Sequence, residues 1–99
     1  MKTHLNHLQI NVSDASKALP FYKDFFSYLG YELVDESPEH IGVSNGLTAF
    51  WIIGTEVKYR GPTFHRKQTG LNHLAFGVDN KEAVDKFGRD FLQPRNIPT

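Results

Sequence analysis

The sequence predicts an α+β fold of two paired strand–helix–three-strand (βαβββ) modules, the second represented only by its first strand and helix. The main observation is a repeat, because LNHL occurs at Leu5–Leu8 and again at Leu71–Leu74. In the same register, without a gap, FYKDFF falls on FGRDFL. A match held over this length indicates an internal duplication, which favours a pseudo-symmetric pair of modules.

The first copy begins with a strand. Residues 5–12 alternate between apolar and polar positions, as in a strand that packs on one side only. The apolar positions are Leu8, Ile10 and Val12, and the polar positions are His7, Gln9 and Asn11. Apolar residues then recur at helical spacing, which predicts a helix. Ser13 or Asp14 is its predicted N-cap, and Gly30 is its predicted end.

Three further strands complete the first copy, with the sequences YELVDE, IGVS and LTAFWIIG. Asn45–Gly46 predicts a hairpin between the last two. The second copy has a predicted strand from Leu71 and a helix in DNKEAVDKFGRDFL, with Asp79 or Asn80 as the N-cap. The predicted buried face of that helix consists of Val84, Phe87, Phe91 and Leu92.

These elements predict a complete module over residues 1–60, a polar connector over 61–69 and a partial second module over 70–99. The length is that of one compact domain. The three strands that close the first copy have no counterpart after the second helix. We therefore expect the second module to be incomplete.

The composition excludes several classes of protein. There is no cysteine, which excludes disulfides, thiolate metal sites and a cysteine nucleophile. Basic and acidic residues balance at 11 each, so neither nucleic acid nor a membrane surface is indicated as a partner. No apolar run approaches the roughly eighteen residues of a membrane helix, and the N-terminus lacks the apolar region of a signal peptide. We expect a cytoplasmic protein.

The repeat places a histidine at the same position in each copy. His7 and His73 both lie on the polar side of their predicted strands. If a pseudo-twofold axis relates the copies, both side chains face one shared concavity, and two neutral imidazoles then suit a divalent metal. The other interpretation is that both are ordinary half-buried histidines kept from a common ancestor.

Four more residues are candidates for contact with a small-molecule ligand. Gln9 and Asn11 share the polar face of the first strand with His7. Trp51 would form a flat wall for an apolar or aromatic ligand, or would be a core aromatic. His65 on the connector would contact the substrate or act as a general base, or would be a solvated loop histidine. His4 and His40 are expected to be exposed near strand ends, without a role.

The motifs LNHLQINVSD…FYKDFF and GLNHLAFGVDN, duplicated in this order, resemble the vicinal oxygen chelate superfamily of glyoxalases, bleomycin resistance proteins and extradiol dioxygenases. The resemblance implies two modules forming a cupped sheet around a divalent metal such as Fe, Mn, Ni or Zn. His7 and His73 match the two first-strand ligand positions. The fourth-strand ligand of the first module is often glutamate, whereas Trp51 aligns there and Glu56 follows too late. No catalytic residue is assigned.

The resemblance leaves three functions open. The chain is a metal-dependent lyase, isomerase or dioxygenase that chelates vicinal oxygens of a small molecule. Alternatively, it is a metal-free binding module of the bleomycin-resistance type, with Trp51 stacking on the ligand. The third possibility is a chain that has the fold without a complete active site.

The incomplete second module generates a prediction about assembly. A lone strand leaves its backbone N–H and C=O groups unpaired, and an amphipathic helix leaves its apolar surface exposed. We therefore expect a homodimer with exchanged modules, or a monomer of marginal stability. Light scattering at micromolar concentration measures the mass directly. A stable, well-folded monomer would contradict this prediction.

Overall fold

Two units make up the chain, Met1–Pro62 and Thr63–Thr99. The structure is a computed structural model that describes residues 1–61 and 65–98. Each unit has its own packing, and each is described by itself.

The first unit has the predicted strand–helix–three-strand order. Its elements are β1 (His7–Val12), α1 (Ala15–Tyr28), β2 (Glu32–Ser37), β3 (His40–Ser44) and β4 (Ala49–Gly54). The strands form one sheet in the order β1-β4-β3-β2. The β1 strand is parallel to β4, and the other pairs are antiparallel.

The ends of α1 follow the predicted signals. Asp14 is the N-cap residue, but its carboxylate accepts from the hydroxyl of Ser16 at 2.6 Å and caps no backbone N–H. At the other end Gly30 has a φ of 88°, a conformation that favours glycine. The Gly30 N–H donates to Ser27 O at 3.1 Å and the Tyr31 N–H to Phe26 O at 2.9 Å. This pattern is a Schellman motif, and it confirms Gly30 as the end of the helix.

The core of this unit lies between α1 and one face of the sheet. The ring of Phe26 on α1 packs against Phe50 on β4 with 4.8 Å between centroids. The buried apolar side chains are Ala15, Leu19, Phe26, Ile41, Val43, Phe50 and Ile52. The apolar side of β1 packs against this cluster and its polar side is exposed, so the predicted assignment of the two faces is confirmed.

Two irregularities shape the other strands. The pairing of β2 with β3 shifts register between Leu33 and Asp35, so Val34 forms a bulge. The predicted hairpin at Asn45–Gly46 is confirmed, with a connection of residues 45–48. The Asn45 side-chain carbonyl accepts from the backbone N–H groups of Leu47 and Thr48 at 3.0 and 2.9 Å, which stabilises the turn.

The second unit contains one continuous helical segment. It starts with α2 (Lys81–Phe87) and continues as a π-helical turn (Gly88–Leu92) and a 3-10 turn (Gln93–Arg95). Asn80 caps α2 by accepting from the Ala83 N–H at 2.8 Å, which decides between the two predicted caps. None of the helices in the described residues is long and apolar enough to span a membrane.

The packing of this segment differs from the prediction at Val84. Phe91 is buried as predicted, with Phe87 stacked on it at 5.1 Å and the Arg95 guanidinium 3.7 Å above its ring. Val84, however, is 57% exposed. The helical period places Val84 correctly on the apolar side, but burial also requires an opposing element, which a helix pattern does not specify.

The predicted strand of the second copy is not formed. Residues 71–78 are described without strand pairing, and every one of them is exposed. A strand is held by backbone hydrogen bonds to a neighbour, and each strand pairing in the described residues is within the first unit. An alternating sequence is therefore not sufficient to form a strand when no neighbouring strand pairs with it.

Candidate functional site: the open face of the first unit

The face of the sheet opposite α1 carries polar and aromatic side chains, and we call it the open face. Strand pairing arranges it in rows that run across the four strands. One row is Gln9, Trp51, Gly42 and Asp35, and the next is Asn11, Ile53, His40 and Ser37. Since paired residues project on the same side of a sheet, these side chains are neighbours.

Trp51 lies over the backbone of β3. A Cβ built on Gly42 would come within 2.5–2.8 Å of three atoms in the six-membered ring of the indole, so only glycine leaves room for this ring. Trp51 is half-buried and lies outside the cluster of buried residues beneath α1. The interpretation of Trp51 as a core aromatic is therefore wrong, because the register of β4 turns it away from the helix.

His40 is the centre of a hydrogen-bonded network beside Trp51. Its Nε2 lies 2.9 Å from Asp35 Oδ2, and its Nδ1 lies 2.6 Å from the Ser37 hydroxyl. The imidazole and indole centroids are 6.3 Å apart. His40 was expected to be exposed, but it is half-buried, and strand pairing brings Asp35 and Ser37 to it.

The hydrogen bond from His40 lowers the pKa of Asp35 below its ordinary value of 3.8, and a hydrogen bond from the backbone N–H of Glu36 adds to the effect. Asp35 is thus a carboxylate at neutral pH and can only accept hydrogen bonds.

Each repeated histidine is hydrogen-bonded to the asparagine before it. His7 Nδ1 lies 2.8 Å from Asn6 Oδ1, and His73 Nδ1 lies 2.8 Å from Asn72 Oδ1. Assigned as acceptors, the amide oxygens place the ring proton on Nδ1 and leave Nε2 with a free lone pair. Both histidines are exposed.

The remaining predicted contact residues are divided between the two units. On the open face, Gln9 Nε2 donates to Asn11 Oδ1 at 3.2 Å, so each amide orients the other. His65 belongs to the second unit, where its Nδ1 accepts from the Lys67 backbone N–H at 3.1 Å within a turn. The imidazole of His65 is thus hydrogen-bonded within its own turn.

Comparison with known proteins identifies the family. Residues 4–93 match the Glyoxalase/Bleomycin resistance protein/Dioxygenase superfamily. The chain belongs to this superfamily. The predicted resemblance is confirmed, as is the mixed α+β fold with its βαβββ sheet.

Two individual relatives agree with this assignment. The chain is 31% identical over 84 residues to "Uncharacterized protein YqjT" of Bacillus subtilis (strain 168), covering 83% of this chain and 64% of that protein. The crystal structure of "a putative glyoxalase from Bacillus halodurans" is 36% identical with a TM-score of 0.86, covering 95% of this chain and 70% of that one. The chain thus spans just under two thirds of the curated relative.

Membership of the superfamily raises the question of whether these residues fit a metal. His7 and His73 have the donor atoms, but they lie in different units. Trp51 on β4 lies nearest the position at which the resemblance implies a glutamate ligand, and its indole cannot bind a metal. The exposed Glu56 lies beyond β4, 3.7 Å from Lys58. The described residues contain no group of three or more His, Cys, Asp or Glu side chains suited to a metal ion. This donor set does not by itself complete a metal site.

The residues that sequence reasoning missed are Asp35, Ser37, His40 and Gly42. The strand pattern identifies β2 and β3, but the bulge at Val34 changes which side chains of β2 face His40. The usable signal was the single glycine between Ile41 and Val43, because a glycine within a strand often marks close approach of another group.

The network around His40 predicts a change in Asp35. In His40→Ala the Asp35 pKa should rise toward 3.8, since the largest cause of its lowering is removed. Because the Asp35 pKa is lower in the folded than in the unfolded chain, the interaction with His40 stabilises the fold at pH values above the ordinary pKa of 3.8. This stabilisation is lost as the pH falls through the folded-state pKa. A carboxyl NMR titration measures the shift. His65→Ala is the control, and an unchanged Asp35 pKa in His40→Ala would contradict the assignment.

Proposed function

We propose that this chain binds a planar, largely apolar small molecule on the open face, with Trp51 as its platform and without a requirement for metal. The observation that carries the proposal is the indole of Trp51 held over Gly42, with polar side chains on both sides of it in the same row.

The platform favours binding because it is already ordered. Gly42 supports the six-membered ring of Trp51 from below. A ligand that stacks on this ring loses little free energy to side-chain ordering, which is a main cost of association. Aromatic pairs also contribute about 0.5–1.5 kcal/mol beyond the area they bury.

The polar groups beside the indole would select the ligand. The hydrogen bond between Gln9 and Asn11 leaves an amide oxygen on Gln9 and amide N–H groups on Asn11 for a ligand. On the other side of Trp51, the Asp35 carboxylate accepts hydrogen bonds. This arrangement suits a ring system that carries hydrogen-bond donors for Gln9 and Asp35 and an acceptor for Asn11.

Trp51 is the one tryptophan of the chain, so tryptophan fluorescence, excited selectively over tyrosine, reports on this site alone. Titration with planar heterocycles that carry both an N–H and an acceptor nitrogen, such as benzimidazole and indazole, should quench it. By calorimetry, Trp51→Ala should bind the best of these probes at least about tenfold more weakly, the loss expected for an aromatic contact of about 1.4 kcal/mol. Trp51→Phe should lose less.

Leu47→Ala, at a residue that is 68% exposed on the β3–β4 turn, is the matched control and should bind as the unaltered chain does. Equal affinities in Trp51→Ala and Leu47→Ala would overturn the proposal.

A second candidate function is binding of a divalent metal, Fe, Mn, Ni or Zn, through His7 and His73. The repeated bond from the asparagine oxygen to Nδ1 favours it, because histidines that bind metals usually donate their other ring N–H to an acceptor. A carboxylate from a second copy in a homodimer would supply a further ligand. Metal-dependent lyase, isomerase or dioxygenase activity would depend on this binding.

Metal analysis of the purified chain, after supplementation with each ion, tests this second candidate. Near-stoichiometric metal that is lost in His7→Ala/His73→Ala and retained in the control His4→Ala/His65→Ala supports it. Equal metal content in both double variants would exclude His7 and His73 as the ligands.

A further inference from the structure

The β2–β3 hairpin carries a serine, a histidine and an aspartate in hydrogen-bonded series. The Ser37 hydroxyl lies 2.6 Å from His40 Nδ1, and His40 Nε2 lies 2.9 Å from Asp35 Oδ2. Pairing of Ser37 with His40 across the hairpin brings the first two together, and Asp35 follows on the same face of β2. The series therefore depends on a sheet pairing rather than on a mobile loop.

The hydrogen-bonding partners assign the protons. A carboxylate can only accept, so His40 Nε2 carries its proton toward Asp35. In the neutral ring Nδ1 then has the lone pair, and the Ser37 hydroxyl donates to it. The Glu39 backbone N–H donates to the same serine oxygen at 3.1 Å, which fixes its position. The hydroxyl proton of Ser37 thus points at a base.

These are the roles of a nucleophile, a general base and an orienting carboxylate. Such a constellation is recognised by geometry and roles rather than by sequence order. In the usual arrangement the serine bonds Nε2 and the carboxylate bonds Nδ1, whereas here the two nitrogens are exchanged. In a neutral imidazole the nitrogen without the proton is the base, whichever of the two it is, so the exchange preserves the roles.

We propose that Ser37 is an acylation site on the open face that accepts the acyl group of activated esters, with His40 as its general base. The Ser37 oxygen attacks the ester carbonyl carbon while its proton passes to His40 Nδ1. The carbon–oxygen bond to the leaving alcohol breaks, and the alcohol takes that proton. Water then attacks the acyl-serine with the same base, releases the carboxylic acid and restores the serine hydroxyl. Asp35 stabilises the imidazolium in both steps.

The test uses the full chain with p-nitrophenyl acetate, followed by absorbance, intact mass and peptide mapping. We expect release of p-nitrophenol and one acetyl group on Ser37. A fluorophosphonate probe should label the same residue. General-base assistance contributes about 10²–10⁴-fold, and His40→Gln should slow both modifications by at least about 10²-fold. Ser37→Ala should abolish them, and Ser37→Cys should retain acylation.

The matched control is Ser44→Ala, at the other end of β3, which should react as the unaltered chain does. Circular dichroism and thermal melting confirm that each variant is folded. Acetylation at lysine or histidine alone, no labelling of Ser37 by either reagent, or equal rates in folded His40→Gln would overturn the proposal. The result does not depend on whether Trp51 binds a ligand.

Discussion

A single helix can cover only one face of a four-stranded sheet, and the organisation of the first unit depends on this constraint. The contact between Phe26 and Phe50 holds α1 on the sheet. Truncating a buried phenylalanine costs about 3–5 kcal/mol, a large part of the roughly 5–15 kcal/mol that stabilises a domain. Because the core is concentrated on that side, the opposite face is free to carry histidine, asparagine and a half-buried tryptophan without loss of the fold.

Features with local causes were predictable from the sequence. Alternation identified the faces of β1, and Gly30 and Asn80 marked a helix end and a helix start. Features that depend on pairing were not predictable. The apolar run around Trp51 gives no indication of which side of β4 faces the helix, and Val84 needs an opposing surface for burial. His40 was missed for the same reason, since its partners come from another strand.

The two copies of the repeat show the difference between local interactions and strand pairing within one chain. Asn6–His7 and Asn72–His73 make the same side-chain hydrogen bond at the same 2.8 Å, although the first pair leads into a strand and the second does not. Neighbouring side chains are sufficient to set this bond. The backbone hydrogen bonds of a strand are different, because they form only where a neighbouring strand supplies the opposing donors and acceptors. The two copies therefore share this local side-chain contact, whereas strand pairing is described only around the first.

The bulge at Val34 has a consequence for how such proteins diverge. With regular pairing continued from Leu33 and Val43, Val34 would oppose Gly42, and Asp35 would oppose Ile41 on the side of α1. The extra residue instead directs Asp35 toward His40 and Glu36 toward Lys23. Insertion or deletion of a single codon in this edge strand would thus exchange a whole set of side chains between interior and exterior. At this strand a one-residue gap in an alignment can mark a larger chemical change than many substitutions.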